Sequence, residues 1–160
     1  MNKALFLDRD GVVNREKGDY IYKMEEFDIL PDVPSALKQA KEKGYKIIVI
    51  TNQGGIAKGI YGAEIVEEMH DVLNEKLASF GVVIDEIYYC KHNNLVGKCI
   101  CRKPDSNMLE KAIARFNIDP SQSLMIGDRQ RDVDAANKVG VRGILITANA
   151  GIADIVSKLP

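Results

Sequence analysis

Four strand-length segments, each ending in residues that carry chemistry, constrain this chain more than any other feature. The first, 4–7, runs into Asp8-Arg9-Asp10-Gly11, and the second, 45–50, into Thr51-Asn52-Gln53-Gly54-Gly55. The third, 85–89, leads to Cys90-Lys91-His92, and the fourth, 123–126, to Gly127-Asp128. The apolar stretches of the first, second and fourth segments, stopped by turn residues, read as buried strands, and 85–89, which opens on Asp85-Glu86, reads as a third strand beside them. Amphipathic helices alternate with them. One opens at Pro31-Asp32-Val33-Pro34, faces inward through Val33, Ala36, Leu37 and Ala40, and stops at Gly44. A second spans about 63–80, with Ile65, Val66, Met69, Val72, Leu73, Leu77 and Phe80 as its apolar stripe. His70 lies beside that stripe with no partner spacing nearby and reads as a structural or surface histidine. A third helix is expected to open at Pro104 and to turn Met108, Leu109, Ala112, Ile113 and Phe116 inward. A fourth carries Val133, Ala136 and Val139, a fifth strand covers 143–146, and a final helical turn or two lies within 152–159. Strand–helix alternation of this kind predicts an α/β fold with one doubly wound, mainly parallel sheet flanked by helices.

Size and charge narrow the class further. At 160 residues with 28% charged and 46% apolar residues, the chain is expected to form one soluble domain. A net charge of −1 gives no reason to expect nucleic acid or a membrane surface as partner. No apolar run approaches the ~20 residues needed to cross a bilayer, and the N-terminus has no signal-peptide layout, so a cytoplasmic location is expected.

In a doubly wound sheet the strand ends converge on one crevice, where ligands bind. Here they deliver Asp8, Asp10, Thr51 and Asp128, and Asp132 lies one helical turn beyond Asp128. Two carboxylates one residue apart repel, and a hard divalent cation such as Mg²⁺ is their natural companion. Asp8 and Asp128 suit that ion. Thr51, the glycines after it and Lys103 suit the oxygens of a phosphoryl group. A carboxylate can act as nucleophile through an aspartyl-phosphate, while a second carboxylate moves protons. The polar loop 14–26 is long for a compact domain, which is frequent in functional loops.

All three cysteines, Cys90, Cys99 and Cys101, fall in one segment beside His92, one of only two histidines. Cys-x-His followed by Cys-x-Cys across a short loop matches a closed tetrahedral Zn²⁺ site. With four protein ligands such a zinc is structural, and the loop it pins runs directly into Arg102-Lys103.

Asp8-x-Asp10-Gly11, Thr51-Asn52, Lys103-Pro104 and Gly127-Asp128-x-x-x-Asp132 resemble the four ordered motifs of the haloacid dehalogenase-like phosphatases. The segments 8–14, 51–59, 89–92 and 99–104 are similar to the zinc-containing branch of that family. The resemblance implies Asp8 as nucleophile and Asp10 as general acid/base, with Thr51 and Lys103 stabilising the phosphoryl group. It implies Mg²⁺ on Asp8, the Asp10 main-chain carbonyl and Asp128, and Zn²⁺ on Cys90, His92, Cys99 and Cys101. Substrate contacts are expected from Asp8, Arg9, Asp10, Thr51, Asn52, Gln53, Gly54, Arg102 and Lys103, with Arg102 at the distal part and Arg129 near the metal aspartate. The partner implied is a small phosphorylated metabolite, a heptose bisphosphate ahead of histidinol phosphate. No separate cap domain is expected, and the protein is expected to be a monomer.

Overall fold

The computed structural model describes residues 1–160. Five strands form one fully parallel sheet: β1 (Lys3–Leu7), β2 (Tyr45–Asn52), β3 (Glu86–Cys90), β4 (Leu124–Gly127) and β5 (Arg142–Leu145), in the order β3-β2-β1-β4-β5. Helices α1 (Val33–Glu42), α2 (Ala63–Ala78), α3 (Asn107–Phe116), α4 (Gln130–Lys138) and α5 (Ala153–Ser157) cover the two faces. Side chains alternate across the pleat, which sorts the apolar runs into two cores. Leu5, Leu7, Ile47, Val49, Leu124 and Ile126 pack against α1, α2 and α5. Ala4, Phe6, Ile48, Ile50 and Met125 pack with Met108, Leu109 and Ala112 of α3 and Ala135 and Ala136 of α4. Because β1, β2 and β4 are covered on both sides, their sequences are apolar along nearly their whole length, whereas β3, at one edge of the sheet, begins with Glu86 and is half-buried up to Tyr89.

The chain crosses from β1 toward β3 on one side and returns through β4 and β5 on the other. The order therefore reverses at β1, the switch point where an open α/β sheet forms its crevice. Leu7, the last residue of β1, pairs with both Val49 and Ile126, which places Asp8 at the mouth between three strands. Strand β2 continues past that register, so Thr51 and Asn52 reach over the carboxyl edge beside Tyr89 and Cys90.

Three expectations are corrected. Helix α2 ends at Ala78, which takes Phe80 off its inner stripe and leaves the ring 53% exposed. Pro104 belongs to the turn before α3, which starts only at Asn107. The last strand lies one residue earlier than its apolar pattern suggests and is an edge, with Leu145 facing solvent. Its Gly143 admits α4 at close range, since a Cβ there would sit 2.8 Å from Val133 Cα. No helix is long and apolar enough to cross a membrane.

Candidate active site

At the mouth of β1 the Asp8 carboxylate is 6% exposed. Its Oδ1 accepts hydrogen bonds from the Arg9 N–H (2.9 Å) and from Lys103 Nζ (2.9 Å). Lys103, itself 1% exposed, also donates to the Ile50 carbonyl at 2.7 Å and pairs with Asp132 Oδ1 at 2.6 Å. The lysine comes from a loop rather than a strand. Asn52 at the end of β2 fixes it by donating to the Lys103 carbonyl (3.1 Å) and accepting from its N–H (3.0 Å). Burial pushes the Asp8 carboxyl up to about 7 against the pull of Lys103, with Asp132 and Asp128 adding to the rise. Burial likewise raises Asp128. Lys103 is raised, because the attraction of Asp8 and Asp132 outweighs its own burial. Three buried acids thus share one internal cation.

That imbalance is what a divalent cation would relieve. Asp8, Asp128 and Asp132 each bring a carboxylate oxygen within 4.8 Å of the others. Asp132 is already committed to Lys103 and to the Arg129 N–H (3.0 Å). Asp128 Oδ1, by contrast, is buried without a partner, and the Asp10 carbonyl accepts no backbone N–H. All the free donors are oxygens, the set preferred by Mg²⁺. Gly11, in the left-handed region at φ 91°, keeps the seat open, since a Cβ there would lie 2.4 Å from Asp128 Oδ2.

Asp10 occupies a different environment. Its Oδ1 accepts from Arg9 Nε (3.2 Å) and Nη2 (2.9 Å) and from Asn14 Nδ2 (2.8 Å), and its Oδ2 from Gln53 Nε2 (3.1 Å). Burial pushes its carboxyl up, but the Arg9 charge and these donors together hold it below the usual carboxylate range. Gln53 Nε2 also lies 2.9 Å from Thr51 Oγ1, and the Tyr61 hydroxyl donates to Gln53 Oε1 at 2.8 Å. This network fixes which part of two expected substrate-contact residues can face a ligand. The Arg9 guanidinium is fully buried against Asp10, His70 and the Phe27 ring, and the Gln53 side chain is 2% exposed with its amide engaged internally. Both side chains brace the site, so any contact they make with a ligand comes from the main chain.

His70 explains how a buried arginine is tolerated on its second side. Its Nε2 lies 3.4 Å from Arg9 Nη1, and its ring stands edge-on to Tyr89. Burial, reinforced by the Arg9 charge, pulls its pKa down to about 4 from 6.5, so the ring is neutral and serves as acceptor. A folded-state pKa below the unfolded one means that the unfolded chain binds the extra proton between these values. Stability is therefore expected to fall as pH drops from about 6.5 to 4, by roughly 3 kcal/mol from this group. Denaturant titrations across that range should show a shallower loss for His70→Asn; an identical slope would contradict the assignment.

The four cysteine and histidine side chains meet in one cluster. His92 Nδ1 lies 3.5 Å from Cys90 Sγ and 3.2 Å from Cys101 Sγ, and Cys90 Sγ lies 3.7 Å from Cys99 Sγ. Ligand bonds of about 2.3 Å in a tetrahedron bring sulfurs to roughly this separation, so the residues fit a closed metal site. The loop carries Arg102 over Gly54, where Nη1 donates to the His92 carbonyl at 3.2 Å and a Cβ on Gly54 would meet it at 2.9 Å.

The cleft above Asp8 has a volume of about 280 Å³. It is lined by Asp8, Asp10 and Asp128, by Asn52, by Glu16, Gly18, Asp19 and Tyr20 of the 14–26 loop, which form its rim, and by Arg129 and Arg131 at the start of α4. Sequence reasoning passed over Arg131, although its place three residues after Asp128 on a helix start would put it on the same side. It also missed Asn149. This residue, at φ 66° in the loop after β5, binds Glu16 through both ends of its amide (2.7 and 2.9 Å) and donates its N–H to the Gly11 carbonyl (2.8 Å). The rim is thereby tied to the catalytic turn.

A switch-point crevice with oxygen donors for a hard cation beside a lysine-paired carboxylate defines a hydrolase centre on a doubly wound sheet. The chain belongs to the haloacid dehalogenase-like hydrolases, whose sequence model matches residues 2–140. It is 41% identical over 146 residues to the D-glycero-beta-D-manno-heptose-1,7-bisphosphate 7-phosphatase of Haemophilus ducreyi, covering 88% of this chain and 80% of that protein. It is 37% identical over 145 residues to a D-glycero-alpha-D-manno-heptose-1,7-bisphosphate 7-phosphatase of Photorhabdus laumondii, covering 87% and 79%. Among solved structures, the D,D-heptose 1,7-bisphosphate phosphatase of B. bronchiseptica complexed with magnesium and phosphate superposes with a TM-score of 0.85 at 30% identity, covering 99% of this chain and 88% of that one.

Proposed function

We propose that this chain, as a single 160-residue domain, is a Mg²⁺-dependent phosphomonoesterase that removes the C7 phosphate of D-glycero-D-manno-heptose 1,7-bisphosphate in the cytoplasm. The observation that carries the mechanism is the asymmetry of Asp8, whose Oδ1 takes both available donors while Oδ2 receives none of these bonds. Oδ2 is the attacking atom. It forms a bond to phosphorus as the bond from phosphorus to the C7 oxygen breaks, and the leaving oxygen takes a proton from Asp10. Asp10, again a carboxylate, then accepts a proton from the water that attacks phosphorus, releasing phosphate and restoring Asp8. The donors around Asp10 favour its ionised form, which suits the second step and makes the acid needed for the first a minor species at neutral pH. Mg²⁺, when bound by Asp8, the Asp10 carbonyl and Asp128, supplies charge neutralisation for the phosphoryl oxygens. Thr51 and Lys103 stabilise the same oxygens, Asn52 lines the cleft, and Gly54 and Arg102 are assigned contacts with the part of the substrate that extends beyond it.

A structural Zn²⁺ on Cys90, His92, Cys99 and Cys101 belongs to this reading, because the loop it holds presents Arg102 and Lys103. Natively purified protein is expected to contain about one zinc per chain. Cys99→Ser should lose it and lower both melting temperature and activity; metal analysis finding no zinc in the native chain would overturn the site.

The substrate assignment is supported by the relatives at about 40% identity that are named for heptose 1,7-bisphosphate. Phosphate release should be measured with both anomers of that substrate and with histidinol phosphate alongside. The expected result is kcat/KM at least about tenfold higher for a heptose bisphosphate, with one phosphate released per molecule. Preference for histidinol phosphate, or no release from either anomer, would contradict it.

A further inference from the structure

We propose that Arg131 is a substrate-binding residue whose guanidinium grips the anionic group at the non-reacting end of the substrate. In the reading above that group is the second phosphate of the sugar bisphosphate, and the inference rests on that reading.

The case is one of charge left over. Every carboxylate around the cleft has a partner other than Arg131. Asp8 and Asp132 are held by Lys103, and Asp10 by Arg9. Asp128 Oδ2 lies 3.9 Å from Arg129 Nε. The two acids of the rim are turned onto their own loop, Glu16 Oε1 accepting from the Gly18 N–H at 2.6 Å and Asp19 Oδ1 from the Tyr20 N–H at 2.7 Å. Asp134, on the next turn of α4, accepts from Gln130 at 2.9 Å. Arg131 forms no ion pair and no side-chain hydrogen bond with any residue, yet it is half-buried, lines the cleft, and has its Nε buried without an acceptor.

A guanidinium presents five donors in a rigid plane, and burying one of them unpaired costs desolvation energy. Most arginines elsewhere in the molecule avoid this. Arg9 lies on Asp10, Arg15 on Asp28, Arg115 on Glu86, and Arg102 on the His92 carbonyl. The exception sits in the wall of the active cleft. The planar fork matches the geometry of a phosphate or carboxylate in bidentate fashion, which selects an anion as the missing acceptor. Lys103 already serves the reacting phosphoryl group at Asp8, so a second anionic group on the same molecule is the one left for Arg131 in the same cleft. A bisphosphate fits this arrangement; a monophosphate with a neutral tail leaves Arg131 idle.

The test compares kcat/KM for the bisphosphate with kcat/KM for the same sugar carrying only the 7-phosphate. Wild type should prefer the bisphosphate, and Arg131→Gln should reduce that preference by about tenfold or more, mainly through KM. Arg131→Lys, which keeps the charge but not the fork, should retain an intermediate preference. A residue that only supported the fold would depress both substrates together and leave the ratio unchanged. A wild-type preference that survives Arg131→Gln overturns the inference alone. Absence of phosphate release by wild type from either compound overturns the substrate reading and the inference with it.

Discussion

Asp8→Asn is expected to abolish phosphate release, lowering kcat by about 10⁴-fold or more, because an amide cannot attack phosphorus to form the acyl phosphate. The fold should survive the change. Asp8 is a buried acid whose carboxyl is pushed up to about 7 by its surroundings, so its charge is a strain on the metal-free protein rather than a support. Lys103 keeps Asp132 as a partner when the Asp8 charge is removed. Thermal melts without divalent cation should therefore show the variant no less stable than wild type. Added Mg²⁺ should raise the wild-type melting temperature more than that of the variant, since one carboxylate of the seat has gone. Retained turnover in a folded Asp8→Asn protein would remove the nucleophile assignment.

Lys103→Met should have the second largest effect, and on stability as well as activity. Lys103 is the internal cation facing Asp8, Asp132 and, through them, Asp128. Removing one partner of a buried charge network costs about 3–5 kcal/mol, because the remaining charges stay desolvated and uncompensated. For a domain of this size that corresponds to a fall in melting temperature of roughly 10 °C at neutral pH. The deficit should shrink toward pH 5, where the raised carboxyls take up protons, and shrink again on adding Mg²⁺. A variant as stable as wild type at pH 7 would show that the lysine does not balance these acids.

Much of this was legible in the chain. Strands buried on both faces write themselves as unbroken apolar runs, so the mouths at Asp8, Thr51 and Asp128 could be located, and with them the carboxylates of the cleft. The spacing of Cys90, His92, Cys99 and Cys101 was equally direct, since few other reasons bring those residue types together. Side-chain orientation was not legible. Arg9 lies between two cleft-facing aspartates, yet it turns inward because Asp10, neutral His70 and the Phe27 ring form a pocket from three separate segments. The Gln53 side chain likewise turns inward, because Tyr61, eight residues on, fixes its amide between Asp10 and Thr51. Asn149 carries no sequence signal at all, because its partners Glu16 and Gly11 are more than a hundred residues away. Helix limits also slipped where a tertiary turn overrode local propensity, as at Pro104. Local pattern identified where the chemistry sits; long-range contacts decided which side chains face it.

Covalent trapping tests the central claim most directly. Wild-type protein should be quenched during turnover of heptose 1,7-bisphosphate with Mg²⁺ and treated with borohydride, which reduces an acyl phosphate to an alcohol. Mass analysis of the N-terminal peptide should then find homoserine at position 8, and Asp8→Asn should yield none. Homoserine at another aspartate, or continued turnover with an unmodified Asp8, would contradict the account.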